Sequence, residues 1–134
     1  MARGFAFEIV RYRAAAVHAY AQLRNHFHLV CGPCRYNVRR FEARLKGAAT
    51  KQLLAEGIHP LQKFADRAGN VPSPWSVKSW IVYQYTNEDM VRSIDYVRNN
   101  LVRARMAPQE YSFIVPYAGR ARRANGTPGA AHRR

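Results

Sequence analysis

Apolar residues recur along this chain with two different periods, and the points where the period changes mark its elements. In residues 5 to 16, Phe5, Ile9 and Tyr12 stand at helical spacing. From Val17 the pattern turns to alternation. Val17, Ala19, Ala21 and Leu23 interleave with His18, Tyr20, Gln22 and Arg24, which predicts a half-buried strand. Arg24 and Asn25 suit a tight turn, and residues 26 to 31 form a second strand, so the two predict a hairpin. Gly32 and Pro33 end it. Residues 37 to 56 then predict a basic helix with an apolar stripe of Val38, Phe41, Leu45 and Leu53 and with Gly57 beyond its end.

The stretch from 58 to 75 holds Pro60, Pro72, Pro74 and Gly69-Asn70 and reads as a long loop. Aromatic and β-branched residues over 80 to 85 predict a third strand. Thr86, with Asp89 three residues on, opens a helix that reaches about Arg105, with Pro108 just past its end. After Tyr117 the apolar periodicity stops. The expected organisation is one domain over residues 1 to 117 and a disordered Arg/Gly/Ala tail over 118 to 134.

Charge changes this picture more than composition does. Hydrophobic residues are 48% of the 134, enough for one packed core. The net charge is +14, from 22 Lys and Arg against 8 Asp and Glu, more than solubility requires, and it points to a polyanionic partner. No apolar run approaches the roughly 20 residues of a membrane span, and the N-terminus lacks the pattern of a secretory signal. The expectation is a soluble, cytoplasmic protein. Two cysteines are too few for a disulfide framework.

Two places carry candidate chemistry. In His26-Phe27-His28 the imidazoles stand at i and i+2 on a strand, so both project to one face and form half of a divalent-metal site. A pair of solvent-facing histidines on a half-exposed strand is the plain alternative. The second place is Tyr96. Met90, Ile94, Val97 and Leu101 define the core face of the last helix, and Tyr96 points away from it, one turn before Asn100 and among Asp89, Arg92, Asn99 and Arg103. Such a polar face suits a phenol attacking phosphorus, although an ordinary exposed tyrosine has the same pattern.

Taken together, the segment 17 to 30, ending Asn25-His26-Phe27-His28-Leu29-Val30, and the segment Tyr96-Val97-Arg98-Asn99-Asn100-Leu101 resemble the two motifs of the single-tyrosine HUH transposases, the insertion-sequence-200-like and REP-associated class. Leu45-Lys46-Gly47-Ala48-Ala49-Thr50 and Pro72-Ser73-Pro74-Trp75 are similar to one branch of that family, and the likeness spans about residues 17 to 117. Arg24 and Leu101 stand where the family usually has Pro.

The resemblance implies an α+β fold, a ferredoxin-like antiparallel sheet with helices on one face. Met1 to Gly4 are too few to supply the strand that normally precedes its first helix. It also implies that His26 and His28, with Asn100 as a third ligand, hold Mg²⁺ or Mn²⁺. Tyr96 would attack the scissile phosphate of single-stranded or hairpin DNA, leaving a 5′-phosphotyrosine and a free 3′-hydroxyl. Arg24, Arg39, Arg40, Arg44, Lys46, Arg92, Arg103, Arg120, Arg122 and Arg123 would grip the DNA, in a nucleoid-associated protein that could act as a homodimer.

Three other readings compete. Cys31-Gly32-Pro33-Cys34 matches a thiol-redox motif between a strand and a helix, although Val30 stands where thioredoxins carry Trp. His26, His28, Cys31 and Cys34 could hold a structural zinc only if the strand bent sharply. A basic domain that binds nucleic acid without cutting it would keep the charge and have no need of Tyr96.

Overall fold

The computed structural model describes residues 1–76 and 79–119 and the backbone of 129–133. Among the described residues, three α-helices and four strands follow in the order α1 (Ala2–Tyr12), β1 (Val17–Gln22), β2 (Phe27–Cys31), α2 (Val38–Ala55), β3 (Trp80–Gln84), α3 (Asn87–Arg103) and β4 (Gly129–Arg133). The class is α+β with an antiparallel sheet ordered β1-β2-β4-β3. No helix among the described residues is long and apolar enough to cross a membrane.

The helix boundaries follow from capping chemistry. The Asn37 side chain accepts from the Arg39 N–H at the start of α2, and Thr86 accepts from the Asp89 N–H at the start of α3. Glu88 and Asp89 lie in the first turn of α3 and Arg103 in its last, so the charges complement the helix dipole. Helix α1 stops at Tyr12 and does not continue to residue 16. Arg13 takes a left-handed conformation at φ 47°, and its N–H bonds the Ile9 carbonyl, closing the helix.

Strand β1 is buried on both faces, and the half-buried expectation is corrected by one bulge. Val17 pairs with Cys31 but Ala19 with Val30, so His18 is an extra residue in the ladder. The alternation shifts phase there. Val17 and Tyr20 then join one cluster, and Ala19 and Ala21 join the other. His18 is buried against Tyr117, and its Nδ1–H donates to the Val115 carbonyl at 2.8 Å. The outer edge of β1 is covered by the chain after α3. Gln109 binds both the N–H and the carbonyl of Gln22, and the Val115 N–H donates to Val17.

Helices pack on both faces of this sheet, not on one. Phe27, Leu29 and Cys31 of β2 meet Phe5 and Ile9 of α1 and Phe41, Leu45 and Ala49 of α2. Val30, on the alternate side, meets Met90, Ile94, Val97 and Leu101 of α3. A strand with apolar residues on both sides needs cover on both sides, and the apolar stripe of α3 supplies the second layer.

The expectation of a disordered tail is corrected for Gly129–Arg133. This segment runs antiparallel between β2 and β3, pairing Arg133 with His28 on one side and with Trp80 on the other. Two strand edges with unpaired N–H and carbonyl groups offer hydrogen bonds that a charge pattern does not reveal. Within the expected loop 58 to 75, Gln62–Phe64 makes a short 3-10 turn. Asp66 then accepts from the N–H groups of Ala68 and Asn70, each at 2.9 Å.

Candidate active site at the hairpin and the third helix

The hairpin turn and α3 bring the two candidate motifs together. The Leu23 N–H donates to the His26 carbonyl at 2.8 Å, which closes the turn and sets His26 at the mouth of β2. His28 stands one pleat further on, buried on the α3 side of the sheet. The two imidazole rings lie 5.0 Å apart, nearly perpendicular. The Tyr96 ring meets His28 edge-on, with centroids 5.8 Å apart. The Arg103 guanidinium carbon sits 5.4 Å from the centre of the Tyr96 ring.

Neighbouring groups orient these side chains. Asn25 Oδ1 accepts from His26 Nδ1 at 2.6 Å, which commits Nδ1 to Asn25 and leaves Nε2 as the ring nitrogen available to a ligand. That is the arrangement a metal-ligating histidine takes when a second group fixes its tautomer. The sequence reading missed this role of Asn25. The only signal was its place just before His26. The Asn100 Nδ2 donates to the Tyr96 carbonyl at 3.0 Å, which leaves Oδ1 as the atom able to ligate.

Tyr96 is not a purely exposed residue of the polar face. It is half-buried and leans on the cluster of Met90, Ile94, Val97 and Leu101. A large ring near the boundary of an apolar stripe covers part of that stripe.

Among the described residues no three His, Cys, Asp or Glu side chains gather in one place. A metal here would be held by two imidazole nitrogens and oxygen from an amide, phosphate or water. Such a mixed nitrogen and oxygen set fits Mn²⁺ and, less tightly, Mg²⁺. The four-residue zinc alternative is not assembled, because Cys31 faces α1 and α2 while His28 faces α3. Cys34 lies close enough to Cys31 for a thiol hydrogen bond, which lowers its pKa. Cys31 itself is sealed in the core at 1% exposure, a poor position for a thiol that must attack a substrate disulfide.

The basic residues divide into two groups. Arg24, Arg39, Arg40, Arg92 and Arg103 are exposed, although Arg92 also bonds Asp89 at 2.9 Å. Arg44 is half-buried, pairs with Glu8 and covers the Tyr12 ring, so it ties α2 to α1. Lys46 is the clear correction. It is 8% exposed, paired with Glu42 at 2.8 Å and bonded to Ser79, so it is an interior strut and not a phosphate contact. Arg120, Arg122 and Arg123 lie outside the described residues.

Comparison with protein-family models, with curated proteins and with solved structures finds no match to this chain.

Proposed function

We propose that this chain is a transposase-like enzyme that binds single-stranded or hairpin DNA and cleaves and rejoins it through Tyr96. The observation that carries the reading is the contact between β2 and α3. Residues 68 positions apart, His28 and Tyr96, meet ring to ring, with His26 and Arg103 on either side. Neither motif alone demands that meeting.

In this reading the Tyr96 oxygen attacks the scissile phosphorus. The bond from phosphorus to the 3′ oxygen breaks, the phenol proton leaves to solvent, and the departing oxygen takes up a proton. The product is a 5′-phosphotyrosine and a free 3′-hydroxyl, and the reverse step joins that phosphate to a 3′-hydroxyl of the same or another strand. The phosphodiester energy is conserved, so no nucleotide cofactor is required. Arg103, whose guanidinium lies over the Tyr96 ring, would stabilise developing negative charge on the phenol oxygen. Mg²⁺ or Mn²⁺ bound by His26, His28 and Asn100 would supply Lewis-acid polarisation of the phosphate. Exposed Arg24, Arg39, Arg40 and Arg92 hold the backbone.

The fold side of the proposal is a ferredoxin-type core, and the antiparallel sheet with β4 as an inner strand supports it. The cellular setting is the nucleoid in the cytoplasm. His28 and Tyr96 meet within one chain, which supports a site built on a single copy, and a homodimer remains part of the proposal as an assembly of such sites.

The test incubates the protein with labelled single-stranded hairpin oligonucleotides, taken from the DNA flanking its gene, and Mn²⁺. A covalent adduct on a denaturing gel, lost in Tyr96→Phe and on chelation, is expected. Tight binding with no adduct under any divalent metal overturns the catalytic reading in favour of a non-catalytic nucleic-acid binder.

A further inference from the structure

A cleft of about 450 Å³ opens beside the β1–β2 hairpin, and His26 belongs to both this cleft and the candidate active site. Arg24 and Asn25 line it from the turn, with Leu53 of α2, and Ile58 and Trp75 of the long loop opposite. Its lining holds an arginine and a histidine but no carboxylate. Ile58 is 60% exposed there, a large apolar surface left to solvent at the mouth of a basic cleft.

The indole of Trp75 is fixed in advance. Its Nε1–H donates to Thr50 Oγ1 at 2.9 Å, its ring stacks on Phe5 with an interplanar angle of 21°, and Phe27 meets it edge-on. A preset aromatic wall loses little side-chain entropy when a flat ligand enters. A positive rim suits phosphate, an apolar and aromatic wall suits the face of a base, and the amide N–H groups of Asn25 and Gln22, whose oxygens accept from His26 and Tyr20, suit acceptors on its edge.

We propose that this cleft receives one unstacked base of the DNA strand, next to the nucleotide whose phosphate lies at His26, His28 and Tyr96. The proposal rests on the reading of this chain as a single-strand DNA enzyme and adds where a neighbouring base goes. The cleft would therefore contribute to the choice of cleavage position. An unstacked base seated there also holds the backbone against sliding while Tyr96 reacts.

The chain has two tryptophans, Trp75 and Trp80, so Trp80→Phe leaves Trp75 as the sole indole reporter. Full-length protein carrying that substitution is titrated with oligo-dT and with a fully abasic strand of equal length, reading Trp75 fluorescence and the polarisation of the labelled strand. Oligo-dT is expected to quench Trp75. The abasic strand is expected to bind through its phosphates about tenfold more weakly and to leave the fluorescence unchanged. Adding Ile58→Glu, an exposed position that the fold tolerates, should reduce the quench by oligo-dT. Equal quenching by the abasic strand, or tight oligo-dT binding with no quench, overturns the base cleft and leaves the Tyr96 reading to its own adduct test. Failure of oligo-dT to bind at all also overturns the base cleft, and the Tyr96 reading again stands or falls on the hairpin adduct.

Discussion

Gly4 and Gly47 sit in adjacent helices and should respond to the same substitution with opposite signs. A Cβ built on Gly4 would lie 2.5 Å from the Ala48 carbonyl oxygen and 2.7 Å from both the Ala48 carbonyl carbon and the Ala49 Cα. These are backbone atoms of α2, so no rotamer change relieves the clash and α1 must move away. Overpacking of this kind costs about 3 kcal/mol, and the better helix propensity of Ala returns about 1, leaving a net loss of about 2 kcal/mol. Gly47 lies mid-helix in α2 with nothing within 4 Å of its Cβ position. Gly47→Ala therefore keeps only the propensity gain, about 1 kcal/mol. The two variants should differ by about 3 kcal/mol in urea denaturation followed by circular dichroism, with unchanged m-values, or roughly 12 °C in Tm. A Gly4→Ala protein as stable as the parent would mean that α1 and α2 do not cross at this point. The layer that backs the histidine strand would then be drawn wrongly.

Further outcomes follow from particular residues. Lys46→Met removes the ammonium beside the mostly buried Glu42 carboxylate and should cost about 3 kcal/mol in the same assay. It should leave the salt dependence of DNA binding unchanged, whereas Arg39→Ala with Arg40→Ala should flatten the log–log slope by up to about 0.7 per lost phosphate contact. Thr86→Ala deletes the acceptor for the Asp89 N–H and should lower stability by about 1 kcal/mol, read from the urea midpoint. The Asp66 carboxyl is held below its ordinary pKa, chiefly by hydrogen bonds from the Asn70 backbone and side chain. Its depressed pKa means that its contribution to loop order is complete above the ordinary carboxylate range and is lost as pH falls toward the lowered value. Limited proteolysis within residues 58–75 should therefore speed up at acid pH, and Asp66→Ala should be cut quickly at every pH.

Local chemistry made much of this fold legible in the sequence. Thr86 announces its helix because a side-chain cap acts within three residues, and that cap forms. The hairpin was legible for the same reason. What escaped were effects set by distant partners. The bulge at His18 reverses the alternation of β1, and nothing in residues 17 to 24 signals it because the Val115 carbonyl and the Tyr117 ring hold it in place. Lys46 looks like every other cation on a basic helix until Glu42 and Ser79 converge on it. Gly129–Arg133 has no strand periodicity, and its conformation comes from two open strand edges.

The candidate site divides along the same line. His26 and His28 on one face was a local inference, and their rings do lie together. That Tyr96 would be half-buried against His28 depended on how α3 crosses the sheet, which residue spacing alone does not specify.

The most direct measurement is to locate the covalent bond itself. The protein is incubated with single-stranded hairpin DNA and Mn²⁺, the DNA is digested with nuclease, and tryptic peptides are analysed by mass spectrometry. The account predicts a nucleotide remnant on the peptide containing Tyr96, attached through its 5′-phosphate. A remnant on any other residue, or cleaved DNA with no modified peptide, would contradict it.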